Sequence, residues 1–308
     1  MQVIRSVQAM QQERTHCRGK VGFVPTMGYL HAGHLSLFQQ ARAENDILVA
    51  SIFVNPTQFG PHEDFQHYPR DLERDLDLLA GSDVDIVFTP STTEMYPQGF
   101  TTYVEPRGPL AEQVEGATRP GHFRGVATIV LKLFQIVRPD NTYFGQKDAQ
   151  QVAVISRMIQ DFNLAIQLHI VPTMREPDGL AMSSRNSYLQ GQDRAAATVL
   201  YKALQAGQTA FMSNPPDGPR AVRQTMIDVI AREPLAKLNY AEIRDPGTFL
   251  PLETLQAPAL LALAVSISTT HLIDNFVYKA DGTWDTGSFT TSFSIDETYG
   301  LIKRYEEN

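Results

Sequence analysis

Cysteine is nearly absent from this 308-residue sequence, and long apolar runs are missing. The single Cys17 cannot form an intrachain disulfide, which excludes a disulfide-stabilised scaffold and favours a reducing cytoplasm. The longest apolar run, residues 259–265, is far shorter than the roughly 20 residues that cross a bilayer. The first twenty residues lack the apolar core of a signal peptide. We therefore expect a cytoplasmic protein without a membrane partner.

Basic residues are also fewer than acidic residues in this sequence. The chain has 26 Lys and Arg residues against 34 Asp and Glu residues, and its formal net charge is −8 at pH 7. Because nucleic-acid binding depends on a positive field, this balance disfavours a nucleic-acid partner, although a small anion could bind where cations converge. The sequence has no Gly-x-x-x-x-Gly-Lys-Ser/Thr loop and no Gly-x-Ser-x-Gly elbow. This excludes P-loop NTPases and α/β-hydrolases.

Short apolar runs alternate with amphipathic segments from residue 21 to about residue 173, which is typical of βαβ units. The predicted strands are residues 21–26, 47–54, 84–89, 142–145 and 165–171. Helical spacing of apolar residues occurs between these runs. The pattern predicts an α/β fold with a Rossmann-like, doubly wound parallel sheet, whose ligand crevice lies at the carboxyl ends of the strands.

A second, smaller α+β domain is predicted after residue 173, where helical patterns precede two apolar strands near 238–246 and 259–268. We expect a nucleotide- and substrate-binding domain at 1–173 and a C-terminal lid domain at 174–275. Residues 276–308 form an extension. It could be an added hairpin, because Asp281-Gly282 is a turn signal between apolar flanks, or a partner-binding segment, or a remnant of cloning.

The sharpest candidate motif is PTMGYLHAGH at residues 25–34, where a predicted strand ends and a helix begins. His31 and His34 share one face of the helix start, close to its unpaired N–H groups and positive dipole end. Imidazoles in this position suit phosphate oxygens. The pair could also be two helix caps or half of a metal site.

A second polar stretch, NPTQFG at residues 55–60, also follows a strand. The amides of Asn55 and Gln58 suit the hydroxyl and carboxylate groups of a small substrate, although an Asx turn would use the same residues. The polar and aromatic residues 60–70 after it could close over the site as a lid, or be the solvated start of a helix.

Two further stretches complete the candidate site. In YFGQKDAQQ at 143–151, Lys147 can pair with a polyphosphate, Asp148 can accept from ribose hydroxyls, and Gln150 or Gln151 can face a substrate. A surface Lys–Asp pair is the alternative. GLAMSSRNSYL at 179–189 combines two hydroxyls and a guanidinium in a loop that could wrap a triphosphate, unless Ser183 is only a helix cap.

Together these motifs, in this order and at these intervals, resemble the pantoate–β-alanine ligase family over roughly residues 1–275. The family is one of adenylate-forming enzymes that share two signatures with class I aminoacyl-tRNA synthetases. HAGH fills the His-x-Gly-His signature, and AMSSR fills the Lys-Met-Ser-Lys-Ser signature in altered form. The resemblance implies ATP-dependent condensation of pantoate with β-alanine through a pantoyl adenylate, without a covalent protein nucleophile, in a homodimer.

The resemblance also implies roles for individual residues. The catalytic residues are expected to be His31, His34, Lys147, Ser183 and Arg185. The ATP-binding residues are expected to be Met27, His34, Gly145, Lys147, Asp148, Met182, Ser183, Ser184 and Arg185. Pantoate is expected at Gln58 and Gln151, with Asn55 positioning pantoate or β-alanine. No protein metal site is expected, because Mg²⁺ would bind mainly through the phosphates of ATP.

One departure from the family pattern lies in the smaller domain, where His271 stands in place of an expected Arg. Two other functions remain open at this point. A related transferase could adenylylate another small acid or a phosphate with the same nucleotide motifs. A catalytically silent nucleotide-binding regulator would bind ATP without producing AMP. An RNA-binding descendant of the fold is a further alternative, which the negative net charge disfavours.

Overall fold

A six-stranded parallel sheet forms the centre of the larger domain in the computed structural model, which describes residues 1–61 and 63–290. Its strands are β1 Gln2–Ile4, β2 Val21–Thr26, β3 Ile47–Ile52, β4 Ile86–Phe88, β5 Asn141–Gly145 and β6 Gln167–Val171. Their order is β1-β4-β3-β2-β5-β6. All five strands expected from the sequence are present, and only the short edge strand β1 was not predicted.

Helices cover both faces of this sheet, which confirms the doubly wound prediction. The helices of the larger domain are α1 Val7–His16, α2 Ala32–Glu44, α3 Leu72–Gly81, α4 Thr92–Met95, α5 Pro109–Glu112, α6 Glu115–Thr118, α7 His122–Val137 and α8 Ala149–Asp161. Apolar side chains of α1, α7 and α8 form a core on one face, where Phe134 packs edge-on against Phe23. Side chains of α2 and α3 form a core on the other face. Because β2 is covered on both sides, its first four residues are all buried, and the alternation of a half-exposed strand is lost.

The position of the crevice follows from the strand order. From β2 the chain moves outward to β3 and then β4, whereas from β5 it moves in the opposite direction to β6. β2 and β5 are neighbours, so the direction of winding reverses between them. In open α/β sheets this switch point is where ligands bind, outside the carboxyl ends of the strands.

The smaller domain is an antiparallel sheet with helices packed against one face. Its elements are β7 Met174–Arg175, α9 Gly191–Ala196, α10 Val199–Met212, α11 Pro219–Ile230, β8 Ala236–Arg244, β9 Ala259–Ile267, β10 Thr270–Tyr278, β11 Trp284–Asp285 and β12 Ser288–Phe289. The sheet order is β11-β10-β9-β8, and β12 pairs separately with β7. Leu261, Leu263 and Val265 of β9 are fully buried in the core that this sheet shares with α10 and α11.

The C-terminal extension continues this smaller sheet. β10 runs through residue 276 without a break, and β11 pairs with it after a turn that contains Asp281 and Gly282. Residues 291–308 of the expected extension lie outside the described residues. Within the described ranges, the helices are all too short or too polar to cross a membrane.

Candidate active site

One cavity opens at the carboxyl ends of β2 and β5 and is closed on its far side by the smaller domain. It is lined by all the residues to which the family resemblance gives a role: Met27, His31, His34, Asn55, Gln58, Gly145, Lys147, Asp148, Gln151, Met182, Ser183, Ser184 and Arg185. The four motifs are more than 150 residues apart at the extremes, yet the fold brings them to a single site.

His31 and His34 cap the N-terminus of α2 reciprocally. The Gly33 N–H donates to His31 Nδ1 at 3.1 Å, and the His31 N–H donates to His34 Nδ1 at 3.3 Å. The pKa of both imidazoles is lowered, chiefly by burial and also by the nearby Lys147 and Arg74 cations. For His34 these effects outweigh the opposing charge of Asp148, and its pKa is about 4. Each neutral ring uses Nδ1 as an acceptor, so its proton is on Nε2. The two rings therefore bring N–H donors, and not fixed positive charges, to the cavity that they line.

The loop before α2 is held in place by a carboxylate from α3. Asp75 accepts hydrogen bonds from the N–H groups of Tyr29 and Leu30, both at 2.7 Å. Gly28 has a φ of +82°, and a Cβ there would lie 2.9 Å from the Asp75 carboxylate. This close approach explains why glycine stands between the strand and the histidines. No pattern in the sequence distinguishes Asp75 from the other acidic residues of α3.

Asn55 is buried, and it makes its hydrogen bonds within the protein. Its Nδ2 donates to Gln58 Oε1 and to the Gly125 carbonyl, both at 3.1 Å, and its Oδ1 accepts from the Tyr96 hydroxyl at 2.7 Å. Gln58 in turn directs its Nε2 toward Met27 Sδ at 3.3 Å. Asn55 thus fixes the orientation of the Gln58 amide, and Gln58 is the residue of the two that is placed to meet a ligand.

Lys147 and Asp148 lie in a short 3₁₀ turn after β5. The Asn275 side chain of β10 holds this turn by donating to the carbonyls of Gln146 and Lys147, at 3.1 and 2.9 Å. Lys147 Nζ lies 3.9 Å from Asp148 Oδ1. A Cβ on Gly145 would meet no protein atom within 4 Å, so the backbone here is open to a ligand.

Of the two adjacent glutamines of α8, Gln151 lines the cavity and Gln150 has a structural role. Gln150 is buried, and its amide donates to the carbonyls of Leu110 and Gln113. Of the two glutamines that the sequence offered, Gln151 is therefore the one that lines this cavity, and its role toward a substrate stays a prediction.

The loop with Ser183, Ser184 and Arg185 faces the histidine loop from the smaller domain. Ser184 Oγ donates to the Tyr29 carbonyl at 3.3 Å, which joins the two motifs directly. Ser183 Oγ accepts from the Arg185 N–H and caps the next turn, which is the alternative that the sequence left open. The Arg185 guanidinium is paired with the Asp64 carboxylate.

Residues of the 60–70 segment reach two cations of the cavity. Glu63 pairs with Arg119, and Asp64 accepts from Arg185 Nε and Nη2 at 3.2 and 3.1 Å. Burial opposes ionisation of these two carboxyl groups, but the adjacent guanidinium in each case outweighs it and lowers the pKa. Residues 63 and 64 are thus tied to two residues of the cavity lining by ion pairs.

Arg119 and His122 are cavity residues that were not singled out from the sequence. They come from the RPGHFRG stretch at the start of α7. His122 Nδ1 lies 2.8 Å from the Gln58 carbonyl and Nε2 lies 3.2 Å from Arg119 Nη1. Burial, followed by the Arg119 charge, lowers the pKa of His122 to about 4. A neutral His122 therefore donates to Gln58 and accepts from Arg119.

The donor set of this cavity suits a polyphosphate better than a bare cation. Three cationic side chains and three imidazoles line it, together with the hydroxyls of Ser183 and Ser184. Among residues 1–61 and 63–290, no group of three His, Cys, Asp or Glu side chains has the arrangement of a metal centre. The fold and the site together define an α/β nucleotide-binding enzyme with a histidine-capped helix beneath a serine–arginine loop.

Comparison with known proteins gives the family. The sequence model of the family described as pantoate-beta-alanine ligase matches residues 2–277. A pantothenate synthetase of Herpetosiphon aurantiacus is 55% identical over 278 residues, which is 90% of this chain and 100% of that protein. The pantothenate synthetase of a Roseiflexus species is 54% identical over 280 residues, 91% of this chain and 100% of that protein. The chain belongs to the pantoate–β-alanine ligase family.

Solved structures agree with this assignment. The crystal structure of pantothenate synthetase from Thermus thermophilus has a TM-score of 0.85 and 46% identity, and covers 89% of this chain and 98% of that chain. The pantoate-beta-alanine ligase from Francisella tularensis, described as complexed with beta-gamma ATP and beta-alanine, has a TM-score of 0.74 and 37% identity, with 90% and 97% covered. The predicted fold class is thereby confirmed.

Proposed function

We propose that this chain catalyses the ATP-dependent condensation of pantoate with β-alanine, through a pantoyl adenylate, with release of pyrophosphate and AMP. Its family makes it a carbon–nitrogen ligase of pantothenate synthesis. The observation that carries the proposal is one cavity that places the histidine pair and Lys147 beside Gln58 and Gln151. The Francisella relative with ATP and β-alanine bound supports both substrates.

The first half-reaction brings two anions together. A pantoate carboxylate oxygen attacks the α-phosphorus of ATP, a new O–P bond forms, and the bond to the pyrophosphate oxygen breaks. The approach meets Coulomb repulsion, which is stronger in a cavity than in water. Lys147 offsets it with a full charge, while the neutral His31 and His34 donate N–H bonds to oxygens on which negative charge grows. Ser183 and Arg185 are assigned to the phosphates from the opposite side.

ATP and pantoate bind to adjoining sets of cavity residues in this proposal, and Met27 and Gln58 are in contact where the two sets meet. Met27, Met182 and the Gly145 backbone lie where the nucleoside would bind, and Asp148 accepts hydrogen bonds from ribose hydroxyls. Ser184, which joins the two loops, completes the ATP-binding set. Gln58 and Gln151 hold pantoate, and Asn55 keeps the Gln58 amide in its orientation.

The second half-reaction needs protection from water. The β-alanine amine attacks the carbonyl carbon of the adenylate, a C–N bond forms, and AMP leaves with the former carboxylate oxygen. Water would compete as a nucleophile for the same carbon. In this proposal residues 63–70, tied to the cavity lining through Glu63 and Asp64, limit that competition.

Mg²⁺ would bind together with ATP and would add positive charge at the phosphates. We expect it to be held mainly by the phosphates, because Asp148 is the one carboxylate among the described residues that line the cavity, and no chelating set is present among them. The family resemblance supports a homodimer formed through the larger domain, which light scattering would test. The single Cys17 supports a cytoplasmic location.

The proposal is tested by pantoate-dependent exchange of labelled pyrophosphate into ATP. We expect exchange with pantoate and Mg²⁺ and none with other hydroxy acids. Exchange with a different acid would favour the related transferase. ATP binding without exchange, and without AMP formation when β-alanine is also present, would favour a silent nucleotide-binding protein.

A further inference from the structure

The C-terminal extension pairs with β7, the strand that precedes the loop with Ser183 and Arg185. The family model ends at residue 277, so β11, β12 and the residues between them are outside the matched region. β12 pairs in parallel with β7, with Ser288 opposite Met174 and Phe289 opposite Arg175. The Ser288 N–H also donates to the Thr173 carbonyl at 2.8 Å.

The other edge of β7 pairs with Ala181 and Met182, at the start of the loop that carries Ser183, Ser184 and Arg185. Arg175 forms an antiparallel bridge with Ala181, and the Met182 N–H donates to the Met174 carbonyl at 2.9 Å. β7 is therefore the middle strand between the extension and the loop. Thr173, Met174 and Met182 all line the cavity, so this small sheet forms part of its wall.

Arg175 connects the same two segments through its side chain, which is fully buried. Its guanidinium donates to the Gly179 carbonyl at the base of the loop and to the Thr286 carbonyl of the extension, and it pairs with Asp274 at 2.7 Å. The Tyr201 ring packs edge-on against the Phe289 ring. The Arg175 guanidinium lies over the same Tyr201 ring, with 4.9 Å between Arg175 Cζ and the centre of the ring. A buried guanidinium needs all of these partners, because leaving one N–H unpaired costs free energy.

We infer that residues 286–289 are a brace that positions the 182–185 loop for ATP, so that this chain completes its adenylation site with residues outside the family region. The inference rests on the proposed function. The brace acts through β7 and Arg175 and touches no substrate, so its residues are positioning residues. Its loss should weaken ATP binding more than pantoate binding, because Gln58 is held by residues of the larger domain, Asn55 and Met27, and not by this loop.

The first test compares two truncations of the full chain in pantoate-dependent pyrophosphate exchange. Ending the chain after Asp285 removes the brace, whereas ending it after Thr290 removes only residues outside the described part of the chain. We expect the KM for ATP to rise roughly 3- to 30-fold in the shorter chain. The KM for pantoate should be unchanged, and the longer truncation should match the full chain. An equal rise in both truncations, or no rise in either, would overturn the assignment.

A matched pair of glycine substitutions tests the same contact without removing residues. Gly287 has a φ of +91°, and a Cβ there would lie 2.4 Å from the Thr173 carbonyl oxygen. Gly282 has a similar φ of +81°, but the nearest atom to its Cβ position is the Tyr278 hydroxyl at 3.7 Å. We expect Gly287→Ala to raise the KM for ATP and Gly282→Ala to leave it unchanged. Equal effects of the two would overturn the proposal.

Hydrogen exchange supplies a readout that does not depend on turnover. Amides of residues 179–189 should exchange faster in the chain that ends after Asp285 than in the chain that ends after Thr290, while those of β2 stay the same. Faster exchange throughout the molecule would show general destabilisation and would overturn a positioning role. Should the full chain show no pyrophosphate exchange, the proposed function fails, yet this comparison still decides whether the brace orders the loop.

Discussion

The Asp64 carboxylate holds the Arg185 guanidinium across the mouth of the cavity with two hydrogen bonds, at 3.1 and 3.2 Å. In the proposed function Arg185 binds the phosphates of ATP, so we expect a triphosphate to compete with the Asp64 carboxylate for this cation. The adjacent Glu63 pairs in the same way with Arg119. We therefore expect ATP binding to change the position of residues 63 and 64.

Asp64→Asn removes the competing charge while keeping the size of the side chain. We expect the KM for ATP to fall about two- to fivefold, because a partly exposed ion pair of this kind is worth roughly 0.5–1 kcal/mol. Asp161→Asn, which breaks the exposed pair with Arg157 on α8, is the control and should change nothing. An increase in the KM for ATP would mean that Asp64 helps ATP to bind.

His34→Ala should slow adenylate formation by about 10²- to 10⁴-fold, because it removes a donor that acts on the charge of the transition state. Rapid-quench measurement of a single turnover gives this rate directly. Exposed His16 at the end of α1 is the control position, and His16→Ala should leave the rate unchanged. An unaltered rate in His34→Ala would remove this residue from the mechanism.

The same variant changes the dependence of stability on pH. His34 takes up a proton near pH 6.5 in the unfolded chain but only near pH 4 in the folded protein. Between these values the unfolded chain binds more protons, so stability falls as the pH falls. We expect the loss of free energy of unfolding between pH 7.5 and pH 5 to be about 1–2 kcal/mol smaller in His34→Ala than in the parent. Urea titrations at the two pH values measure this, and identical losses would contradict a neutral buried His34.

Gln58→Ala should raise the KM for pantoate about tenfold or more, with little change for ATP, because a ligand group then loses a charge-assisted hydrogen bond. Asn55→Ala should act in the same direction and also lower the free energy of unfolding by about 1–3 kcal/mol, since it removes the hydrogen bonds that the Asn55 amide makes to Gln58, Gly125 and Tyr96. Gln39→Ala on an exposed part of α2 is the control. Equal losses for ATP and pantoate would reject the assignment of Gln58.

His271 joins the two domains by its contact with Glu115, at 2.8 Å between Nε2 and Oε1. Burial alone would raise the pKa of Glu115, but the hydrogen bond and charge of His271 outweigh it and hold the pKa below 4.5. His271→Ala should lower the free energy of unfolding by about 1–3 kcal/mol near neutral pH. His271→Arg should preserve it, because the family residue can make the same pair.

The sign of the pH effect supplies a further check on this contact. Since the folded pKa of Glu115 is lowered, its contribution to stability is present above pH 4.5 and is lost as the pH falls through the folded value. The difference between the parent and His271→Ala should therefore shrink in acid. A difference that stayed constant down to about pH 3 would show that the pair with Glu115 does not carry it.

Much of the candidate site followed from the sequence because parallel strands present their carboxyl ends at one edge. Motifs placed directly after β2, β3 and β5 had to meet there once the sheet was recognised. The roles of Asp75 and Asn55 did not follow, because their effect depends on which neighbours the fold brings within hydrogen-bonding distance. The pairing of β12 with β7 joins segments more than 100 residues apart, and two-residue strands leave no pattern in a sequence.

The most direct test of a pantoyl adenylate intermediate follows a carboxylate oxygen of pantoate into AMP. With pantoate labelled by ¹⁸O in its carboxylate, together with ATP, Mg²⁺ and β-alanine, the account predicts one equivalent of AMP per pantothenate. That AMP carries one labelled oxygen on phosphorus, because the carboxylate oxygen leaves with AMP when the amine attacks. Unlabelled AMP, or label that appears in inorganic phosphate with formation of ADP, would contradict the pantoyl adenylate on which the account depends.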